Sequence, residues 1–161
     1  AAGSRAVKTQ FISPGDTLQL FGRLPPAQRP IFEALGGGPR ILRDGSISIE
    51  YERERLSRAF AEDRHPRTAV GYTQNQSVLF LVVVDGRQPG YSVGMTLEEL
   101  AHFMRTQLGN FSLSKENAYQ GLNLDGGGSS TMVVEGEVVN SPSDQTGERP
   151  VANALVIAGV Q

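Results

Sequence analysis

Cysteine is absent from this sequence of 161 residues, and histidine occurs only twice. Without cysteine the chain has neither disulfides nor thiolate-bound metal, and two histidines are too few for us to expect a zinc site. Long hydrophobic runs are missing too, since no apolar stretch approaches the roughly 20 residues that cross a membrane. Neither sign of charge dominates, because 15 Lys and Arg stand against 17 Asp and Glu. Nucleic-acid binding, which needs a basic patch, is therefore not expected.

What remains is the composition of a globular protein. Hydrophobic residues make up 39% of the chain and charged residues 20%, which fits a folded rather than a disordered polypeptide. A length of 161 residues is enough to bury a core and is typical of one domain. We therefore expect residues 1–161 to form a single domain.

A strand, a helix and a second strand are predicted in the middle of the chain. Residues 78–84 are an unbroken apolar run, which is typical of a strand covered on both faces. Thr96 begins a helix in which Glu99 completes a capping box, and Gly109 is placed to end it. Its apolar stripe consists of Leu97, Leu100, Ala101, Met104 and Leu108. Residues 119–125 are the second strand, and we expect the two strands to lie side by side and parallel.

Shorter elements flank this unit. Hairpin turns are predicted at residues 44–45 and 135–136, where Gly follows Asp or Glu between apolar segments. A further strand is predicted over residues 151–157, and residues 50–65, rich in Arg and Glu, are expected to be solvated. The fold class predicted from these elements is α/β or α+β, with a mixed central sheet and few helices.

The most informative segment, residues 123–132, reads NLDGGGSSTM. Asn123 and Asp125 are two positions apart, so on a strand they face the same side. Three glycines then leave bare backbone that a ligand can approach closely, and hydroxyl side chains follow. The two predicted strands would end at one edge of the sheet and bring Asp85, Arg87 and Asp125 together, and ligands of open α/β sheets bind at such edges. The pattern predicts a site for a polar ligand, either an anion or a sugar.

Six motifs, in order along the chain, resemble the phosphodiester glycosidase family. They are GGGP at 36–39, PRTAVG at 66–71, DGR at 85–87, GMTL at 94–97, the run at 123–132 and GERPVANA at 147–154. The resemblance is strongest over residues 36–157. The family includes the enzyme that removes N-acetylglucosamine from phosphomannosyl groups on lysosomal proteins, and bacterial proteins of exopolysaccharide biosynthesis.

Members of this family begin with a further segment that carries Asn-Gly-Gly and aromatic residues, and no such segment precedes the first motif here. We therefore expect the chain to be the C-terminal portion of a longer domain, or a shortened member. In the first case the N-terminal segment would be a partner of the site.

The resemblance implies cleavage of a sugar–phosphate link, in exopolysaccharide or cell-envelope glycan metabolism, by a secreted or envelope protein. It implies a catalytic role for Asp125 first and Asp85 second, with Glu148 as the candidate acid. Glycosidases generally use two carboxylates, but a phosphate leaving group with a second pKa of about 6 needs little protonation, so one could suffice. The substrate-binding residues it implies are Arg67, Thr68, Arg87, Asn123, Gly126, Gly127, Gly128, Ser129, Ser130, Thr131, Arg149 and Asn153. Among these, the arginines suit a phosphate and the amides of residues 126–129 an anion-binding nest.

Simpler explanations stand beside these roles. Asp85 before Gly is often only a turn, Arg67 and Arg149 could pin loops by pairing with carboxylates, and Glu148 lies in a polar loop where solvation is the common case. We expect both histidines to lie on the surface. No cofactor is expected. Binding of Mg²⁺ or Ca²⁺ by carboxylates is an alternative that we do not favour, and its candidate ligands are Asp85, Asp125 and Asp144.

Two other functions compete with the hydrolysis of a sugar–phosphate bond. The first is a non-catalytic glycan- or phosphate-binding module on the same fold. The second is a serine hydrolase at Ser129 or Ser130, although their surroundings do not match the G-x-S-x-G elbow. A P-loop is not predicted, because no Gly-Lys-Ser or Gly-Lys-Thr follows the glycines.

Overall fold

A computed structural model describes residues 34–159, in which a five-stranded sheet carries a helix on one face. The strands are β1 (Arg40–Arg43), β2 (Ser46–Ile47), β3 (Arg67–Tyr72), β4 (Leu79–Val84) and β5 (Gln120–Asn123), the helices are α1 (Arg58–Glu62) and α2 (Leu97–Thr106), and a separate hairpin consists of β6 (Val133–Val134) and β7 (Glu137–Val138). The sheet order is β2-β1-β5-β3-β4, and every neighbouring pair is antiparallel. The predicted α+β class is confirmed, but the sheet is antiparallel rather than mixed.

Strand β3 lies between β4 and β5 and pairs with both. Ala69 of β3 is opposite Val82 of β4 and Asn123 of β5. The prediction that the two apolar strands are neighbours is therefore wrong, although they do run in the same direction. Since β3 runs opposite to them, its first residue lies at the same edge of the sheet as the last residues of β4 and β5. We call this edge the site edge.

Helix α2 covers one face of the sheet through the predicted apolar stripe, all five members of which are buried. Its N-terminus has the predicted capping box: Thr96 Oγ1 accepts from the Glu99 amide at 3.1 Å, and the Glu99 carboxylate accepts from the Thr96 amide at 3.0 Å. The helix ends at Thr106, and Gly109 lies in a following 3₁₀ turn rather than at the end of the helix.

Side chains on the other face of β4, which is an edge strand, are exposed. Leu79 is 50% exposed and Leu81 39% exposed, so the apolar run at residues 78–84 is not covered on both faces. Both hairpin turns are confirmed, with positive φ at both residues of 44–45 and of 135–136, as a type I′ turn requires.

The structure differs from the predictions for residues 151–157 and, in part, for residues 50–65. Residues 151–157 are exposed and form no strand. Residues 50–65 are largely exposed, but they include helix α1, whose Ala61 is buried. No helix between residues 34 and 159 has both the length and the apolar character needed to cross a membrane.

Candidate functional site

The site edge brings together side chains from three strand ends. Arg67 is the first residue of β3, Asn123 is the last of β5, and Arg87 follows shortly after β4. A cleft of about 220 Å³ opens there. Its lining consists of Phe60, His65, Pro66, Arg67, Arg87, Asn123, Asp125, Gly126, Gly127, Gly128 and Arg149. Three guanidinium groups and one carboxylate therefore share a single cleft.

Arg67 is 1% exposed and is held by backbone carbonyls. Its Nε donates to the Met95 carbonyl at 2.9 Å, and its Nη2 donates to the carbonyls of Phe60 at 2.8 Å and Asp63 at 2.9 Å. Burial and the nearby charge of Arg87 lower the pKa of Arg67 to about 10, so it stays positive at neutral pH. It forms no ion pair with a described carboxylate. Arg67 thus holds the segments around residues 60–63 and 95 together by hydrogen bonds to their carbonyls. Since no described carboxylate pairs with it, its positive charge is available to an anion in the cleft.

Arg87 lies between a histidine and bare backbone. Its Nη2 is 3.3 Å from His65 Nδ1, and a β-carbon added at Gly127 would be 3.0 Å from its Nη1. Burial, and then the charges of Arg67 and Arg87, lower the pKa of His65, so its ring is neutral at pH 7. Since a guanidinium only donates, Nδ1 is the acceptor.

The prediction that His65 is a plain surface residue is therefore wrong, since it lines the cleft. The available signal was its position, immediately before the PRTAVG motif that begins β3. His102 is exposed on α2, as predicted.

Arg149 reaches the cleft from the loop at residues 141–150. Its Nη2 donates to Ser129 Oγ at 2.6 Å, and its Nη1 lies 3.5 Å from Asp144 Oδ2. A β-carbon at Gly128 would be 2.9 Å from Asp144 Oδ2 and 3.1 Å from Arg149 Nη1. The ion pair therefore packs directly on the backbone of residues 126–129, which we call the glycine turn.

The amides of the glycine turn are mostly engaged within the protein. Three of the four donate to Asp125 Oδ1, to the Pro66 carbonyl and to the Gly126 carbonyl. Only the Gly128 amide has no acceptor among the described residues. A preformed nest of several free amides is therefore absent from the described part of the chain. The glycines serve instead to let two arginine side chains approach the backbone.

Asn123 presents an unsatisfied acceptor at the cleft. Its Nδ2 donates to the carbonyls of Gly38 at 2.7 Å and Leu124 at 2.8 Å, which fixes the orientation of the amide. Its Oδ1 is buried and has no hydrogen-bond partner among residues 34–159. An unpaired buried carbonyl costs about 1–3 kcal/mol, so a ligand that donates a hydrogen bond here would remove that cost.

Asp125 and Asp85, the first and second candidates for the catalytic carboxylate, are in different surroundings. Asp125 is exposed, lines the cleft and, within the described part of the chain, accepts only from the adjacent Gly126 amide at 2.9 Å. Asp85 is absent from the lining. Its Oδ1 accepts from Asn140 Nδ2 and from the Ser141 amide, both at 2.9 Å, and its Oδ2 from the Tyr91 hydroxyl at 3.1 Å. Asp85 therefore links the loop after β4 to the loop after β7, and a catalytic role for it remains a prediction.

The other predicted residues do not line the cleft. Thr68 Oγ1 lies 3.2 Å from Oγ of the buried Ser130, behind the glycine turn. Thr131 is half-buried, whereas Glu148 and Asn153 are exposed. No described histidine contacts Ser129 or Ser130 through a hydrogen bond, so neither hydroxyl has a base beside it. Within residues 34–159, no three His, Asp or Glu side chains cluster in a way that could hold a metal ion.

Comparison with known proteins gives a family match over nearly the whole sequence. The family model described as phosphodiester glycosidase matches residues 3–158. N-acetylglucosamine-1-phosphodiester alpha-N-acetylglucosaminidase of Bos taurus is 32% identical over 126 residues, and that of Homo sapiens is 30% identical over 126 residues. Each alignment covers 73% of this chain and 22% of the relative, so the chain spans about a fifth of the length of these relatives.

Two solved structures are similar as well. The zebrafish N-acetylglucosamine-1-phosphodiester alpha-N-acetylglucosaminidase catalytic domain, auto-inhibited by its pro-peptide, matches with 31% identity and a TM-score of 0.56, over 73% of this chain and 37% of that one. A hypothetical protein from Synechocystis matches with 27% identity and a TM-score of 0.51, over 66% of this chain and 18% of that one.

Proposed function

Because this chain belongs to the phosphodiester glycosidase family, we propose that it hydrolyses the glycosidic bond between the sugar and the phosphate of a sugar-1-phosphodiester in the cleft at the site edge. The observation that carries the proposal is the charge of the cleft, which is lined by three arginines, Arg67, Arg87 and Arg149, and by one carboxylate, Asp125. A phosphodiester bears one negative charge, and guanidinium is the side-chain group whose geometry best matches phosphate oxygens.

The proposed reaction breaks the bond between C1 of the sugar and the bridging oxygen, and the electron pair leaves with the phosphate. Water supplies the hydroxyl that ends on C1, and its proton passes to solvent. Asp125 acts on this centre, as the nucleophile or as the base that activates water. The departing phosphomonoester has a second pKa of about 6 and leaves without a strong acid, so one carboxylate can suffice. The arginines stabilise its charge as it develops.

The sugar is the second part of the proposal. Asn123 Oδ1, which no described residue contacts through a hydrogen bond, would accept from a sugar hydroxyl or from an acetamido N–H. The mammalian relatives are named for N-acetylglucosamine-1-phosphodiesters, so we take this class as the first substrate to test. A place in exopolysaccharide or cell-envelope glycan metabolism, and a secreted or envelope location, belong to the same proposal, as does Glu148 in the role of acid.

One observation favours a second candidate, a non-catalytic glycan- or phosphate-binding module. Asp125 is the only carboxylate among the residues that line the described cleft, whereas glycosidases generally use two. The same three arginines would then bind the phosphate without any reaction.

The test is incubation of the 161-residue chain with a panel of N-acetylglucosamine-1-phosphodiesters. Free sugar and phosphomonoester are quantified, and binding is measured in parallel by calorimetry. Release of both products in equal amounts, reduced in Arg87→Ala but not in Arg105→Ala, supports hydrolysis at this cleft. Arg105 is exposed on α2 and supplies the matched control. Binding without release supports the module. If the chain shows no binding and no release, the proposal is contradicted.

A further inference from the structure

The Arg87 guanidinium is held from two sides. On one side is His65 Nδ1, 3.3 Å from its Nη2, and on the other is the backbone at Gly127. Arg87 itself has a φ of 58°, which a non-glycine residue rarely adopts and which tends to occur at functional sites. With this backbone conformation and these two neighbours, the guanidinium lies above the glycine turn.

His65 is itself firmly placed by its backbone. Its amide donates to the Met95 carbonyl at 3.2 Å, and the Met95 amide donates to the His65 carbonyl at 3.1 Å. A β-carbon at Gly94 would lie 2.3 Å from the His65 carbonyl oxygen, so the two segments are in direct contact. The backbone of His65 thus joins this segment to residues 94–95. Its imidazole makes one described hydrogen bond, to Arg87.

We propose that His65 is a positioning residue whose neutral Nδ1 orients Arg87 over the glycine turn for the phosphodiester, and that protonation of His65 in acid releases Arg87. This inference rests on the proposed function of the cleft. The imidazolium has no lone pair to accept with, and it would add a third positive charge beside two arginines.

The charges around His65 act in the same direction. Arg67 faces it from β3 and Arg87 from the loop after β4, and both disfavour protonation. Asp63, which follows α1, favours protonation but has a smaller effect than burial and the two arginines. Asp125 lines the same cleft and accepts from the Gly126 amide. The ring is therefore neutral at neutral pH and becomes charged in acid.

The experiment uses dimethyl phosphate, a phosphodiester that stays a monoanion in mild acid, as the probe in NMR titrations of the full chain. We expect His65→Ala to weaken binding about fivefold at neutral pH, the effect of losing one hydrogen bond to a charged group at a partly exposed site. His65→Asn should restore most of this loss, because Asn Oδ1 can stand in the place of Nδ1. Since Asn does not titrate, His65→Asn should also keep in acid the affinity that wild type loses. Circular dichroism confirms that each variant is folded.

A double-mutant cycle with Arg87→Ala separates positioning from direct contact. If His65 acts through Arg87, His65→Ala has no further effect once Arg87 is removed. A loss that persists in the Arg87→Ala background would overturn the positioning role, and so would wild-type affinity in His65→Ala. If wild type neither binds dimethyl phosphate nor releases sugar, the proposed function itself fails, which is a different outcome from either of these.

Discussion

Arg87 and Gly127 are 40 positions apart in the chain, yet a β-carbon at Gly127 would lie 3.0 Å from Arg87 Nη1 and 3.2 Å from its Nη2. The guanidinium therefore rests on backbone that carries no side chain. The sheet creates this contact, because β4 and β5 end at the same edge and each is followed by one of the two residues. The glycine turn thus provides a surface on which arginine side chains pack, rather than a set of free amide donors.

Substitution of Gly127 tests this contact. Gly127→Ala and Gly136→Ala both place Ala at positive φ, 63° and 88°, so each should cost about 1 kcal/mol of stability. Only the first also displaces an arginine, because nothing lies within 4 Å of a β-carbon at Gly136. We expect Gly127→Ala alone to weaken phosphodiester binding, by about tenfold as for the loss of one charged contact. Equal affinity in the two variants, measured by calorimetry, would show that the contact does not matter.

Loss of Arg67 should be seen first in stability. Arg67→Met removes three hydrogen bonds in a buried site and leaves the carbonyls of Phe60 and Asp63 without this donor, while the Met95 carbonyl keeps the His65 amide, and we expect the free energy of unfolding to fall by about 3 kcal/mol or more. Arg58→Met is the matched control. Its side chain is 79% exposed and pairs with Glu62 at i,i+4, so it should cost about 0.5 kcal/mol or less. Urea unfolding of both variants gives the comparison, and similar small losses would mean that the Arg67 bonds contribute little.

Substitution of Asp85 should lower the stability of the protein much more than substitution of Asp125. Asp85→Ala removes the acceptor for Asn140, Ser141 and Tyr91, so we expect a loss of about 2 kcal/mol or more in the free energy of unfolding. Asp125→Asn changes an exposed side chain and should remain within about 0.5 kcal/mol of wild type. Thermal unfolding measures both. A fully stable Asp85→Ala variant that releases no sugar would instead give Asp85 the catalytic role.

The lowered pKa of His65 predicts how stability depends on pH. In the unfolded chain His65 titrates near 6.5, and in the folded protein burial and two arginines hold its pKa below that value. The unfolded state therefore binds more protons in this window. The contribution of His65 is fully present above 6.5 and is lost as the pH falls through the folded pKa. Wild type should thus lose stability relative to His65→Asn between roughly pH 7.5 and pH 5. A constant difference across this range would contradict the assignment.

Local features of the fold were predictable because neighbouring residues determine them. The capping box of α2, its apolar stripe and both type I′ turns follow from residues a few positions apart. Strand order depends on distant pairings, and the sequence gives no sign that β3 inserts between β4 and β5. The apolar run at residues 78–84 predicted a strand covered on both faces, but Leu79 and Leu81 are exposed, because whether other elements cover a face depends on tertiary packing.

The site was predictable to a similar extent. Arg87, Asp125 and the glycines lie together because their strands share a direction, which the strand–helix–strand pattern indicated. The contact of His65 with Arg87 and the use of a glycine-turn amide by the Pro66 carbonyl depend on tertiary geometry, which no short motif encodes. Asp85 stands in a matched motif too, yet only its hydrogen bonds show that it ties loops together.

Release of free N-acetylglucosamine from an N-acetylglucosamine-1-phosphodiester, by wild type, Asp125→Asn and Asp44→Asn, tests the central claim most directly. Asp44 is the matched control: its φ of 50° suits Asn, and Asn can still accept from Gln120 through Oδ1. We predict release by wild type and Asp44→Asn, and a fall of about 1,000-fold or more in folded Asp125→Asn, as expected when the reactive carboxylate is lost. Undiminished release by Asp125→Asn would contradict the claim that this carboxylate performs the reaction.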